Sequence, residues 1–344
     1  MNPSVTKAFV WALPKAELHL HLEGTLEPSM MLEFAKRNRV SIQYPNVDAI
    51  ERAHTYVDLQ SFLDLYYAGC SVLVTEDDFY DLTMAYIRKA ASQGVCHVEV
   101  FFDPQSHTAR GISFHTVING IHQALIDGEA HHGVTSRLIL SFLRHLDEED
   151  AFATLRAAEP YLSWITAVGL DSSEVANPPS KFVRVYDQAR AHGLQAVVHA
   201  GEEGPPEYVW QALDLLHTDR IDHGVRCLED DRLVKRLRDE SIPLTVCPLS
   251  NVKLQVFPTL GHHNLPQLLD QGICVTINSD DPAYFGGYLG DNLWAVTRTF
   301  EFSHQRVADL ARNSILASFL TQAEMSFHLQ EIERVVAEFM NQGP

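Results

Sequence analysis

Near its N-terminus the chain reads Glu17-Leu18-His19-Leu20-His21-Leu22-Glu23-Gly24. Side chains alternate between the two faces of a β-strand, so His19 and His21 project from one face and the leucines from the other. Such a histidine pair supplies either two ligands of a metal site or two polar residues on the solvent-exposed face of an edge strand. The ligands that the rest of the chain supplies decide between these two interpretations.

Beyond this strand the sequence alternates between β-prone and helical stretches. From about residue 29 to 92 apolar residues recur at spacings of three and four, which indicates several amphipathic helices. This stretch is longer than a single helix connecting two parallel strands, so we expect an inserted helical layer after the first strand. Further strands are predicted at 95–102, 136–143, 164–170, 194–200, 220–225, 243–247 and 273–278.

Eight strands separated by helices are the pattern of a parallel sheet in an α/β protein. Eight strands fit a closed (β/α)8 TIM barrel better than an open, doubly wound sheet. Because no low-complexity tract or Gly/Ser-rich linker divides the chain, we interpret residues 1–344 as a single domain.

The composition limits the classes of partner. The chain has 45 acidic against 26 basic residues, a formal net charge of −19, which disfavours nucleic acids and anionic membranes and favours a small neutral or cationic ligand. Its 5 cysteines include no Cys-x-x-Cys pair, as expected for thiols in a reducing compartment. With no signal peptide or membrane span, we expect a cytoplasmic protein. Whether it forms a homo-oligomer is left open.

Polar side chains gather at the C-terminal ends of the predicted strands, where barrel enzymes place their catalytic residues. His199 and Glu202 follow the fifth strand, His223 ends the sixth, and Asp280 and Asp281 follow the eighth. Each alone has an ordinary structural interpretation, such as a helix-capping aspartate. Together with the histidine pair of the first strand, they indicate one mononuclear metal site.

Three imidazoles and a carboxylate suit a catalytic Zn²⁺ with an open position for water, although Fe²⁺ and Mn²⁺ also accept such ligands. Binuclear barrel hydrolases typically bridge their metals with a modified lysine after the fourth strand. Here that segment, Val168-Gly169-Leu170-Asp171-Ser172-Ser173, contains no lysine. We therefore expect one metal per chain, which leaves His223 free to act on the water.

Four stretches of the chain resemble the signatures of the adenosine/adenine deaminase family, in the family's order: 14–24, 199–202, 222–224 and 279–282. Two further segments, 169–179 and 281–288, look like the adenine deaminase branch. Adenosine deaminases usually carry an Asp-Leu-Ala-Gly-type segment near the sugar side of the substrate. Its replacement by Asp171-Ser172-Ser173 points away from a nucleoside.

The resemblance implies a role for each site residue. The implied Zn²⁺ ligands are His19, His21, His199 and Asp280. Zinc lowers the pKa of a bound water from about 15.7 toward about 7. Glu202 would protonate ring N1, which makes C6 electrophilic, and His223 would orient the attacking hydroxide. Asp281 would bind N7, and Ser173 is the further substrate-binding residue. Whether His223 or Asp280 first takes the proton of the water stays open.

The expected reaction is hydrolysis of adenine to hypoxanthine and ammonia, a step of purine salvage. Adenosine and N6-substituted adenines are the alternative substrates. A purine-binding barrel without turnover is the non-enzymatic alternative, and the presence of both Glu202 and His223 argues against it. No glycine-rich loop or basic cluster would bind the phosphate of adenylate. The His-x-Glu and Pro-Cys-x-x-Cys signature of deaminases that act on nucleic acids is absent.

Overall fold

Eight parallel β-strands, each paired with its neighbour in the chain, form the centre of the protein in a computed structural model that describes residues 5–341. The strands are β1 Lys15–His21, β2 Val95–Phe102, β3 Thr135–Leu143, β4 Ile165–Asp171, β5 Gln195–Ala200, β6 Arg220–His223, β7 Leu244–Val246 and β8 Val275–Ile277. Every strand predicted from the sequence is present, with ends that differ by at most a few residues.

The sheet closes between β1 and the residues that follow β8. Leu20 forms a parallel bridge with Asp280. The His21 N–H donates to the Asp280 carbonyl oxygen at 3.0 Å, and the Asp280 N–H donates to the His19 carbonyl oxygen at 3.1 Å. The predicted (β/α)8 barrel is therefore confirmed, and its closing hydrogen bonds bring together residues from the two ends of the barrel sequence.

Helices surround the strands. The α-helices are α1 Lys7–Ala12, α2 Pro28–Asn38, α3 Val47–Ala53, α4 Leu59–Cys70, α5 Glu76–Ser92, α6 Pro104–Thr108, α7 Phe114–His132, α8 Glu148–Ala158, α9 Val183–Ala191, α10 Pro206–Asp214, α11 Asp231–Asp239, α12 Pro248–Lys253, α13 Leu265–Asp270, α14 Pro282–Phe285, α15 Leu289–Thr299, α16 His304–Leu316 and α17 Gln322–Asn341. Short 3-10 helices lie at Glu23–Thr25, Glu159–Trp164, Pro179–Phe182, Val225–Glu229 and Leu260–His262. None of the helices in residues 5–341 has the length and apolar character needed to cross a bilayer.

The segment between β1 and β2 has two parts. The last helix, α5, packs against β2 and α7 and so belongs to the ring around the barrel. The preceding helix, α4, begins at a capping box in which the Asp58 side chain and Ser61 satisfy each other's backbone amides. It packs against α6 and the Glu23–Thr25 turn, both of which follow the C-terminal ends of strands. Helix α4 of the inserted segment thus lies on the side of the barrel where polar residues were predicted to gather.

A separate apolar cluster attaches α4 to the loops that follow β7 and β8. Its α4 members include Phe62 and Tyr66, which pack with Leu254, Tyr284 and Phe285. Burial of each such side chain contributes roughly 1.5–3 kcal/mol. The position of α4 over the barrel is therefore set by packing on the same loops that carry Asp280 and Asp281.

The opposite end of the barrel is closed by a buried ion pair. Arg220 Nη1 lies 2.6 Å from Glu99 Oε2, and both side chains are almost fully buried. Glu99 also accepts a hydrogen bond from the backbone N–H of Phe319, whose ring lies 4.2 Å from the guanidinium carbon of Arg220. Because this end is filled, a substrate approaches from the end covered by α4.

Candidate active site

The predicted metal ligands come together at the C-terminal end of the barrel. His19 and His21 lie on β1, His199 lies on β5, and Asp280 follows β8. Each offers one ligand atom, and these atoms all lie within 4.8 Å of one another. Asp280 Oδ1 is 3.3 Å from His19 Nε2 and 3.5 Å from His21 Nε2, and the Nε2 atoms of His21 and His199 are 3.1 Å apart.

Each of these imidazoles contacts a second polar group through its other ring nitrogen. The contacts are His19 Nδ1 to the Thr245 carbonyl oxygen at 3.2 Å, His199 Nδ1 to Asp222 Oδ2 at 3.3 Å, and His21 Nδ1 to Asp171 Oδ2 at 3.5 Å. An acceptor at Nδ1 holds the proton on that nitrogen and turns the lone pair of Nε2 toward the centre. All three histidines thus turn Nε2 toward the centre.

The centre fits a divalent metal ion. His19 Nε2 is buried and has no hydrogen-bond partner among the described residues. Two Nε2 lone pairs and a carboxylate that face one another repel unless a cation lies between them. A set of three nitrogen ligands and one oxygen ligand is one that Zn²⁺, Fe²⁺ or Mn²⁺ accepts.

Glu202 and His223 lie beside this centre. His223 Nε2 is 3.5 Å from Glu202 Oε2 and 3.9 Å from Asp280 Oδ2. Burial, followed by the negative charge of Asp280, holds the pKa of Glu202 well above its ordinary value. Burial, followed by the charge of His19, holds the pKa of His223 well below its ordinary value. Both shifts favour the uncharged forms, a protonated carboxyl group at Glu202 and a neutral imidazole at His223.

Asp281 is a second buried carboxyl group in the cavity. Burial and the charge of Asp280 hold its pKa well above the ordinary value, and its Oδ1 has no hydrogen-bond partner among the described residues. Gly24 makes room for it, since a Cβ atom at residue 24 would lie 1.9 Å from Asp281 Oδ1. Asp281 is thus free to bond a polar atom of a ligand.

The wall of the cavity opposite the metal centre comes from α4 and the loops after β2 and β4. Leu59, Phe62 and Leu63 supply its apolar part. The Tyr66 hydroxyl donates to Asp103 Oδ2 at 3.2 Å, and the Tyr67 hydroxyl lies 2.9 Å from Ser172 Oγ. The two tyrosine hydroxyls of this wall are therefore paired, whereas Asp103 Oδ1 has no hydrogen-bond partner among the described residues.

The two serines after β4 have different surroundings. Ser172 lines the cavity, whereas the Ser173 hydroxyl donates to Gln60 Oε1 on α4 at 2.8 Å. Ser173 thus links its loop to the helical layer, and the predicted contact between Ser173 and substrate stays a prediction.

Three residues of the site adopt the left-handed backbone conformation without being glycine. The φ angles are 74° at Ser172, 61° at His223 and 65° at Asp280. This conformation is strained for residues with a Cβ atom, by about 1–3 kcal/mol, and persists where the surrounding structure imposes it. Here the turns after β4, β6 and β8 impose it at three points of the cavity wall.

Sequence reasoning gave no site role to three buried acidic residues around the site, namely Asp103, Asp171 and Asp222. Asp222 precedes His223, and Asp171 ends β4, so both occupy the strand ends that were inspected for other residues. Asp103 had a direct signal. Asp103-Pro104 after β2 repeats the pattern of Asp281-Pro282 after β8, in which an aspartate at a strand end precedes a helix that begins with proline.

Comparison with known proteins identifies the family. The profile of the adenosine deaminase family matches residues 14–335. An adenine deaminase of Acinetobacter baylyi is 56% identical over 324 residues, which cover 94% of this chain and 98% of the relative. The crystal structure of adenine deaminase from Arthrobacter aurescens superposes with a TM-score of 0.94 at 48% identity, covering 95% of this chain and 100% of that one. An amidohydrolase structure from Burkholderia ambifaria with bound Zn has a TM-score of 0.89 at 25% identity, covering 98% and 96% of the two chains. The resemblance inferred from the four signatures is confirmed, and the chain belongs to the adenosine deaminase family, in its adenine deaminase branch.

Proposed function

We propose that this protein hydrolyses adenine to hypoxanthine and ammonia with one Zn²⁺ per chain. The observation that carries the proposal is the buried carboxyl group of Glu202, whose pKa burial raises, 3.5 Å from His223 and beside the ligand cluster. A binding protein needs no proton donor at this position, whereas attack of water on an aromatic ring carbon does. The names of the Acinetobacter and Arthrobacter relatives, both adenine deaminases, support adenine as the substrate. The bound Zn of the Burkholderia structure supports zinc as the metal.

Zinc held by His19, His21, His199 and Asp280 would supply an activated water close to C6 of the purine. The protein residues then handle the protons. Glu202 gives its proton to N1, which withdraws electrons from C6 and prepares the ring for attack. Neutral His223 hydrogen-bonds the attacking oxygen and fixes its approach. Asp281 binds N7 and fixes the orientation of the ring.

The atoms of this reaction balance without another reactant. The oxygen of the water bonds to C6, the C6 to N6 bond breaks, and N6 departs as ammonia with one proton of the water. The other proton of the water replaces the one that Glu202 gave to N1, which stays on N1 of hypoxanthine. Glu202 is regenerated for the next turnover. We also propose that the enzyme works in the cytoplasm, because its five cysteines are free thiols.

The cavity suits a free base better than a nucleoside. A ribose would bring three hydroxyl groups, each of which requires a polar partner when it is buried. The two tyrosine hydroxyls of the wall opposite the metal centre are already paired, Tyr66 with Asp103 and Tyr67 with Ser172. The rest of that wall is the apolar surface of α4, which suits the flat face of a purine.

The substrate is tested by comparing turnover of adenine, adenosine and an N6-alkyladenine by zinc-loaded enzyme, from the loss of ultraviolet absorbance. We expect kcat/KM to be highest for adenine. Faster turnover of adenosine or of the N6-alkyladenine would refute the assignment of adenine. Elemental analysis of the same preparation should give one metal per chain.

The mechanism is tested by Glu202→Gln, which keeps the shape of the side chain and removes the acidic proton. We expect kcat for adenine to fall by about 10²–10⁴-fold while metal content and adenine affinity persist. Glu207→Gln, an exposed change in the first turn of α10, is the control and should behave as wild type. Wild-type rates in Glu202→Gln would exclude Glu202 as the proton donor.

A further inference from the structure

Glu174, in the loop after β4, makes an unusual set of hydrogen bonds with the loop after β5. Its side chain is buried, and its carboxylate accepts bonds from four consecutive backbone N–H groups. These are Gly201 N at 2.7 Å, Glu202 N at 3.1 Å, Glu203 N at 2.9 Å and Gly204 N at 2.7 Å. One carboxylate thus holds the whole turn between β5 and α10.

Consecutive amides that point into one concavity form an anion-binding turn. Hydrogen bonds from such donors to a carboxylate are roughly twice as strong as those between neutral groups. Here the anion is a side chain of the neighbouring loop rather than a ligand. Glycines permit the close approach, because Gly201 has a φ of 74° and a Cβ atom at residue 204 would lie 2.5 Å from Glu174 Oε1.

A buried guanidinium stabilises the same turn from the other side. Arg144 Nη1 donates to the His199 carbonyl oxygen at 2.6 Å, and its Nε donates to the Asn177 carbonyl oxygen at 2.8 Å. Arg144 is fully buried and interacts electrostatically with Glu174. The backbone from 199 to 204 is therefore held by a positive group at the end of β5 and a negative group after it.

The side chain of Glu202 has few fixed partners of its own. Its Oε1 has no hydrogen-bond partner among the described residues, and its Oε2 lies 3.5 Å from His223 Nε2. The direction of this carboxyl group is thus determined by the backbone that carries it. That backbone is the part of the chain that Glu174 binds, through the N–H of Glu202 itself and those on either side.

We infer that Glu174 is a positioning residue for the reaction, which fixes the backbone of Glu202 so that its carboxyl group points to N1 of the purine. This inference rests on the proposed function. Glu174 itself contacts neither substrate nor metal ligands through the bonds described, so its effect is on the catalytic step. Loss of the four-amide contact should lower kcat for adenine and leave KM and zinc content near their wild-type values.

The test is Glu174→Gln, which keeps the side-chain volume but places an NH2 group against amide donors. We expect kcat to fall by about 10- to 100-fold, the usual effect of disturbing a supporting hydrogen bond at an active site. Glu207→Gln is the control, because it removes a nearby carboxylate that is exposed. Gly204→Ala is the second variant, since its Cβ displaces the Glu174 carboxylate while leaving it in the sequence. It should show the same loss of kcat. A wild-type kcat in both variants would overturn the inference.

A double variant separates positioning from general stabilisation. If Glu174 acts through Glu202, Glu174→Gln should lower the residual turnover of Glu202→Gln by less than about twofold, because residues that act as a unit are non-additive. A further tenfold loss in the double variant would instead assign Glu174 a merely structural role.

Hydrogen exchange tests the contact without any substrate. In Glu174→Gln the amides of 201–204 should exchange faster than in wild type, while those of β1 and β2 keep their protection. Unchanged exchange at 201–204 would overturn the inference even if turnover falls. If wild-type enzyme deaminates no adenine, the proposed function fails, and the exchange experiment still decides whether Glu174 holds this turn.

Discussion

Asp222→Asn is the substitution that most directly tests how the metal centre is supported. Asp222 is fully buried and is not itself among the metal ligands. Its Oδ2 lies 3.3 Å from His199 Nδ1, and its Oδ1 accepts a hydrogen bond from Thr245 Oγ1 at 2.7 Å. Thr245 Oγ1 in turn lies 3.1 Å from His19 Nδ1. One carboxylate therefore supports two of the three histidines proposed as ligands, His199 directly and His19 through Thr245.

The magnitude follows from what asparagine cannot do. Its single oxygen can face either His199 or Thr245, and its NH2 group then opposes a donor at the other contact. A buried polar group left unpaired costs about 1–3 kcal/mol. Since about 1.4 kcal/mol is a factor of ten, this corresponds to a loss of roughly 5- to 150-fold. Losses of 10- to 100-fold are typical when an outer partner of a metal-binding histidine is changed.

The assay measures zinc affinity by competition with a chelator and kcat/KM for adenine with zinc in excess. We expect the product of these two losses to lie near 10- to 100-fold. Asp48→Asn, which removes the same charge from an exposed position on α3, is the control. An Asp222→Asn enzyme with wild-type zinc affinity and wild-type kcat/KM would refute the idea that this carboxylate orients the histidines.

Two further predictions concern close packing and a buried charge. Gly24→Ala should raise KM for adenine by about tenfold or more with zinc content unchanged, because the new Cβ would displace Asp281. Gly261→Ala, whose Cβ would make only an ordinary contact with Thr259 Oγ1 at 3.8 Å, is the control. An unchanged KM in Gly24→Ala would contradict the role of Asp281. Burial lowers the pKa of Lys15 from 10.5 to about 7. Between pH 7 and pH 10.5 Lys15 therefore carries a proton in the unfolded chain but not in the folded protein, so the folded protein gains stability as pH rises. Urea unfolding of wild type and Lys15→Met should therefore show that wild type gains stability relative to the variant by about 1.4 kcal/mol per pH unit above pH 7. A difference in unfolding free energy that does not change with pH would contradict the lowered pKa of Lys15.

The barrel and the positions of the proposed metal ligands were predictable because they depend on periodicity and on one geometric rule. Alternation along β1 places His19 and His21 on one face, and parallel strands bring their C-terminal ends to one edge. These arguments need only the residues of a single strand and the count of strands. They do not require knowledge of which residues of neighbouring strands lie side by side.

The residues that support the proposed ligands could not be predicted in this way, because their contacts depend on the register between neighbouring strands. His199 on β5 is the direct partner of Asp222 on β6, and Asp222 is the direct partner of Thr245 on β7. The three side chains can contact one another because the register places them in one row across the barrel. A shift of one residue would turn Asp222 to the other face of its strand. A sequence read strand by strand does not contain this information, which is why it gave Asp222 no site role.

The loop after β4 shows a different limit of prediction from sequence. The structure of this loop bears on which purine is bound. The sequence indicated this segment as the one that separates a base from a nucleoside, but a loop has no periodicity that tells Ser172 from Ser173. The structure distinguishes them through the left-handed backbone at Ser172 and through the bond from Ser173 to Gln60 of α4. Both serines hydrogen-bond to α4, since Ser172 pairs with Tyr67. The ends of the strands thus hold the groups proposed for catalysis. The space left for the sugar at N9 of a nucleoside depends instead on where α4, about a hundred residues earlier in the chain, meets the loop after β4.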